Sequence, residues 1–200
     1  MSDAAHPLPQ DKPYDICYWI DRGNLIVDIA PGWDSFAQAN GAYELDPRRV
    51  IGRDLLSFVH GDVTRMFVHT LIQSARLQRK PLIHRYRCDS PDTRRQMEMR
   101  VLVEHDGLLR WEHRLLHAEP LGKRLVFRVA EGGSPRRFIV RCSICNRLKS
   151  PGGWHEPDLL PGDLPDDAPI PVIYGVCPSC QVLPGQRRPT LDGTEPGIYG

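Results

Sequence analysis

The chain has 200 residues, 40% of them hydrophobic and 26% charged, with a formal net charge of +1. That length suits one ordinary domain with a small appendage, and the near-neutral balance excludes the global field of a nucleic-acid or membrane binder. No apolar run approaches the ~20 residues that span a bilayer. The opening MSDAAHPLPQDKP is polar and does not read as a signal peptide, so the expected location is cytoplasmic.

Charge is unevenly spread. Residues 85–141 hold 13 Lys/Arg against 8 Asp/Glu, and residues 150–200 hold 2 against 7. Mutual attraction between the two segments is the preferred explanation. A basic docking face for an acidic partner is the alternative. Arg outnumbers Lys 22 to 4, which favours forked, persistent ion pairs.

Residues 1–13 read as a disordered leader. Ile16–Ile20 and Leu25–Ile29 are β-prone and flank Asp21-Arg22-Gly23-Asn24, a hairpin signature. Trp33–Asn40 reads as a short helix, Pro47–Val50 as a turn or helical piece, and Gly52–Val59 as one or two helical turns. Asp62 is expected to cap a helix from Val63 to about Gln78, with Met66, Phe67, Leu71, Ile72, Ala75 and partly Leu77 on its apolar stripe. Three strands follow at 82–88, 96–105 and 108–117, the last two joined by the hairpin signal Asp106-Gly107. Arginines 94, 95, 100, 110, 114, 124, 128, 136, 137 and 141 are expected on a solvated outer face, or paired with the acidic C-terminal segment.

That order, together with three local words, resembles a PAS domain. The words are Trp33-Asp34-Ser35-Phe36-Ala37-Gln38-Ala39-Asn40-Gly41, Val50-Ile51-Gly52-Arg53-Asp54-Leu55 and Phe58-Val59-His60-Gly61-Asp62. The stretch Tyr86–Asp92 with Arg94-Arg95 is similar to one bacterial subgroup of these sensors. The resemblance covers roughly residues 16–120. It implies an α+β fold, a five-stranded antiparallel sheet with helices on one face, working in signal transduction rather than as an enzyme. It also implies a homodimer or a partner signalling protein, and a cavity for haem, flavin or a small-molecule ligand.

Two cysteine pairs lie further on, Cys142-Ser-Ile-Cys145 and Cys177-Pro-Ser-Cys180, with 31 residues between them. Two CxxC knuckles in a short segment close a tetrahedral four-thiolate cage, and zinc suits such a cage as a structural ion, one per chain. The same four thiols admit other readings: a disulfide switch that releases zinc, a thiol oxidoreductase, or an iron–sulfur cluster. A nucleic-acid-binding zinc ribbon is a further alternative, disfavoured by the nearby Asp158, Asp163, Asp166 and Asp167. A catalytic zinc is disfavoured because such sites keep an open position; His155 would be a fifth ligand. Trp154 and Tyr174 are expected to pack over the cage. The segment also resembles a companion element of the PAS subgroup, with Arg147-Leu148-Lys149, Trp154 and Gly175-Val176 in the expected places. It departs from that pattern at Asn146, where a basic residue is expected, and at the Pro/Asp-rich insert Pro157–Pro171, where the pattern tends to be helical.

The expected division is a leader at 1–13, a sensor domain at 14–120, a linker at 121–137, a zinc-ribbon-like four-cysteine element at 138–183 and a disordered tail at 184–200. Candidate pocket residues are Trp19, Phe67, Leu71, Met97, Met99 and Trp111, each of which is also a plausible core residue. His69 is the candidate axial ligand if the cavity holds haem. Cys17 and Cys88 are expected to be free thiols. No Walker loop, GxSxG or HExxH word occurs.

Overall fold

A computed structural model of the chain describes residues 14–39, 46–130, 138–159 and 168–181. The leader, the tail and most of the Pro/Asp-rich insert lie outside the described residues. The first five strands are β1 (Ile16–Ile20), β2 (Ile26–Ile29), β3 (Leu82–Arg87), β4 (Thr93–Val103) and β5 (Leu109–Pro120). They form one antiparallel sheet in the order β2-β1-β5-β4-β3. Between β2 and β3 run α1 (Trp33–Ala39), α2 (Pro47–Val50), a 3₁₀ turn (Leu55–Phe58) and α3 (Asp62–Gln78).

Local chemistry explains the boundaries. Asp21 Oδ1 accepts from the N–H groups of Gly23 and Leu25 at 2.8 and 2.9 Å, closing the first hairpin. Asp46 and Asp54 cap their helices by accepting from Arg48 N and Leu56 N. Asp62 does not cap α3. Gly61 occupies that position at φ +82°, and Asp62 begins the helix, paired at 2.6 Å with Arg65 one turn on. Asp106 (φ +60°) and Gly107 (φ +80°) turn β4 into β5.

α3 buries Thr64, Phe67, Leu71, Ile72 and Ala75. Met66 and Leu77, expected on that stripe, are instead 70% and 86% exposed. Each residue rotates ~100° about the helix axis, so Met66 points away from its neighbour Phe67. Facing α3, the sheet contributes Ile20, Leu82, Met97, Met99, Val101, Leu109 and Trp111.

The opposite sheet face carries charge in cross-strand pairs. Arg100 meets Glu112 at 2.6 Å, Arg110 meets Glu104 at 3.1 Å, and Arg114 meets Glu98 at 2.6 Å. The outer-face arginines of β4 and β5 are therefore mostly neutralised within their own sheet. Arg94 instead reaches Asp158 at 2.9 Å, and Arg87 binds Glu156. For these two, attraction between the basic and acidic segments is borne out.

A second sheet holds β6 (Phe127–Val129), β7 (Ile139–Cys142), β8 (Leu148–Ser150), β9 (Gly153–His155) and β10 (Ile170–Gly175). Its order is β6-β10-β7-β8-β9, with β10 parallel to both β6 and β7. β6 is thus a strand inside the stretch read as a linker, and β10 begins within the insert.

The two sheets meet where β10 passes the start of α3. A methyl group on Gly61 would lie 3.0 Å from Tyr174 Cβ and 3.2 Å from Tyr174 O. Gly52 has a similar φ of +81° but open space around it. Gly61→Ala is therefore expected to cost more than Gly52→Ala, with backbone strain of ~1–3 kcal/mol common to both. Urea midpoints compare them; equal losses would mean that the approach of β10 does not matter. Among the described residues no helix is long and apolar enough to cross a membrane.

Candidate metal centre

Two tight turns bring the four thiols together. Cys142 ends β7, and the chain folds back through Cys142 N to Arg147 O at 2.8 Å and Asn146 N to Cys142 O at 2.9 Å. Asn146 sits at φ +61° in this turn. Asn tolerates the left-handed region better than Lys or Arg, which accounts for the departure from the expected basic residue. Cys177 follows β10, and a 3₁₀ turn over Pro178–Cys180 returns Cys180 N to Cys177 O at 2.9 Å.

The sulfurs of Cys142, Cys145, Cys177 and Cys180 all lie within 4.8 Å of one another, and Cys145 Sγ is 3.7 Å from Cys177 Sγ. A tetrahedron with Zn–S bonds of ~2.3 Å has edges of ~3.8 Å, so the cage matches that size. The four residues are 0%, 4%, 1% and 4% exposed. Cys177 N–H points at Cys142 Sγ at 3.4 Å, the donor a coordinated thiolate uses. Hydrogen bonds from its neighbours hold the Cys142 thiol well below the usual range, whereas Cys145 and Cys180, donating to it, are pushed well above. Cys177 is lowered as well, so the group favours a partly ionised state, and full ionisation waits for a cation. The donor set fits zinc or another thiophilic ion and could hold one ion. His155 stands outside the group.

The knuckles are fastened to the first sheet. Ser143 N and Oγ both donate to Gly175 O, at 2.8 and 3.1 Å, linking the pairs. The hydroxyls of Thr64 on α3 and Ser143 share a hydrogen bond. Arg87 N, on the edge strand β3, donates to Ile144 O at 2.7 Å. Arg147 binds Glu156 at 3.0 Å. Cysteines, Ile144 and Val176 belong to one apolar cluster with Phe67, Leu71 and Trp111. Trp154 packs against that cluster as expected. Tyr174 does not; it packs against Leu125, Ile170 and Val172.

No protein-family model matches the chain, and no curated protein matches it.

Of the candidate pocket residues, Phe67, Leu71, Met97, Met99 and Trp111 lie on the core side. Trp19 does not. It alternates with Tyr18 and Ile20, so it faces the other side of the sheet and donates Nε1–H to Glu104 at 2.9 Å. His69 is exposed on α3, 3.3 Å from Gln73 Nε2, and offers no haem ligand to the core. Cys17 and Cys88 are free; burial pushes the Cys17 thiol up to about 11 and raises that of Cys88.

Sequence reasoning missed an aromatic group on the core face. Tyr18 stacks on Trp111 and His113 at 6.0 and 5.7 Å and meets Trp33 edge-on at 5.6 Å. Tyr86 Oη bonds His113 Nδ1 at 2.8 Å. Alternation along β3 and β5 from Leu82 and Leu109 would have found Tyr86 and His113. Burial pulls His113 down to about 4. The unfolded imidazole binds its proton near 6.5, so acid favours unfolding. Stability is expected to fall between pH 6.5 and 4, by up to about 2 kcal/mol at pH 5. His113→Gln keeps an acceptor for Tyr86 but cannot titrate. Urea unfolding at pH 7 and pH 5 should show a smaller loss for the variant; equal losses would exonerate His113.

Proposed function

We propose that the protein is a cytoplasmic PAS-type signal-transduction protein whose C-terminal element is folded around one structural zinc. The PAS reading is supported by the element order, two strands, then helices, then three strands, and by the five-stranded antiparallel sheet with α3 across its apolar face. A small molecule in the core, a second copy of the chain or a signalling partner would supply the input. The output would pass through the four-cysteine element, which touches both α3 and β3.

One observation carries the zinc reading: four thiols buried in the same apolar cluster as the sheet. A closed, dry, four-thiolate site is the form of a structural ion. The thiol-switch reading asks for an accessible, low-pKa sulfur beside a resolving partner, and burial argues against it. A nucleic-acid ribbon asks for free basic side chains, whereas Arg94 and Arg147 here are engaged by Asp158 and Glu156.

Metal analysis with a visible spectrum, on protein purified without added metal, tests this. The expected result is about one zinc per chain and no visible absorbance. A broad brown absorbance would replace zinc by an iron–sulfur cluster. Four titratable thiols and no metal would sink the structural reading.

A further inference from the structure

A cavity of about 160 Å³ lies between the β3–β4 connection and β6 and β7. Leu125, Val126 and Phe127 form an apolar wall, and Asp89 and Arg141 also line it. Arg141 is only 9% exposed. Its guanidinium lies 4.1 Å over the Phe127 ring and bonds the Tyr174 side chain. Its Nε has no hydrogen-bond partner among the described residues.

The charges around it are otherwise matched. Arg87 binds Asp89 and Glu156, Arg94 binds Asp158, and Arg147 binds Glu156. Asp89 lines the same cavity and attracts Arg141, but both its oxygens take Arg87, and Oδ1 also accepts from Arg95 N at 3.1 Å. Arg141 is therefore a buried cation with no ion pair among the described residues. Such a group is unfavourable unless an anion joins it. An apolar wall opposite a guanidinium selects an anion with an alkyl chain. Volume sets the size: room for about five groups of ~30 Å³ each.

We propose that this cavity binds a short-chain aliphatic monocarboxylate, its carboxylate on Arg141 and its chain against Leu125, Val126 and Phe127. The site lies outside the apolar core of the first sheet and stands whether or not the sensor reading holds.

Calorimetric titration of butyrate into the full, metal-loaded chain tests it. Saturable binding with a dissociation constant of about 1 mM or tighter is expected. Butyramide, the same shape without charge, should bind at least about 10-fold more weakly. Arg141→Met should abolish binding. Val126→Trp fills the cavity and leaves Arg141 in place, and it should abolish binding while the protein keeps its metal and unfolds cooperatively. The comparison of butyrate with butyramide on unaltered protein stands if either variant fails to fold. The proposal is overturned by no saturable butyrate binding, by equal binding of butyramide, by equal binding of inorganic phosphate, or by full binding to folded Val126→Trp.

Discussion

Cys142→Ser is expected to unfold the C-terminal element and to loosen α3 and β3 with it. Cys142 is fully buried and accepts the Cys177 N–H. Serine offers a poor ligand for a thiophilic ion and leaves three thiolates crowded without full neutralisation. Structural zinc contributes ~10–16 kcal/mol to folding in small metallo-domains. Loss of one ligand should therefore exceed ~4 kcal/mol, in the range reserved for lost metals and broken networks. The damage should spread because Thr64 bonds Ser143 and Arg87 N bonds Ile144 O. Hydrogen exchange would read this directly. Protection should fall across 138–181 and also across 64–75 and 82–87, and chelation of the native protein should reproduce the pattern. Cys17→Ser, outside the cage, should leave it unchanged. Loss confined to 138–181 would show that the shared cluster couples nothing.

The second large effect lies on the other face of the first sheet. Glu98 is 2% exposed. Its Oε1 accepts from Arg114 Nε and Nη2 at 3.0 and 2.6 Å, and Arg85 stands 3.6 Å from Oε2. Tyr14 covers the group, with Arg100 and Arg114 4.8 and 5.3 Å from its ring. Glu98→Ala strips Arg114 of this carboxylate in a dry setting, and breaking such a pair costs ~3–5 kcal/mol. Replacing both partners is gentler, because the desolvation cost goes with the charges. The double variant Glu98→Met/Arg114→Met should recover most of the loss in denaturant unfolding. A loss below ~1 kcal/mol for Glu98→Ala would mean that the pair behaves as if solvated.

What could be read in advance follows from the strength of each local signal. α3 was legible because its apolar residues recur over 17 positions and Asp62 and Pro81 bracket it. The β4–β5 hairpin was legible through Asp106-Gly107, since few residue pairs adopt two consecutive positive φ values. The cage was legible because chelation constrains spacing more tightly than packing does. Trp19 and Met66 were misplaced for one shared reason: composition marked them as apolar, while phase within the strand or helix decided their side. β6, β8 and β9 escaped notice because three residues carry no period. Arg141 looked like one arginine among ten. Its isolation depends on which carboxylates the others reach, which no linear spacing encodes.

β10 lies between β6 and β7, two strands that precede it in the chain and do not pair with each other. This has a consequence for the order of assembly during synthesis. A nascent chain emerges from its N-terminus, so the first sheet can close as soon as β5 is complete. β6 and β7 then wait, each with an open edge, until residues 170–175 arrive between them. Cys177 and Cys180 follow within a few residues, and until then the cage is half built. Ion capture and closure of the second sheet are thus one late event. Starvation of a thiophilic ion would leave nascent chains with a finished first sheet, an unpaired β6 and a β7 paired only with β8, a form prone to edge-to-edge aggregation.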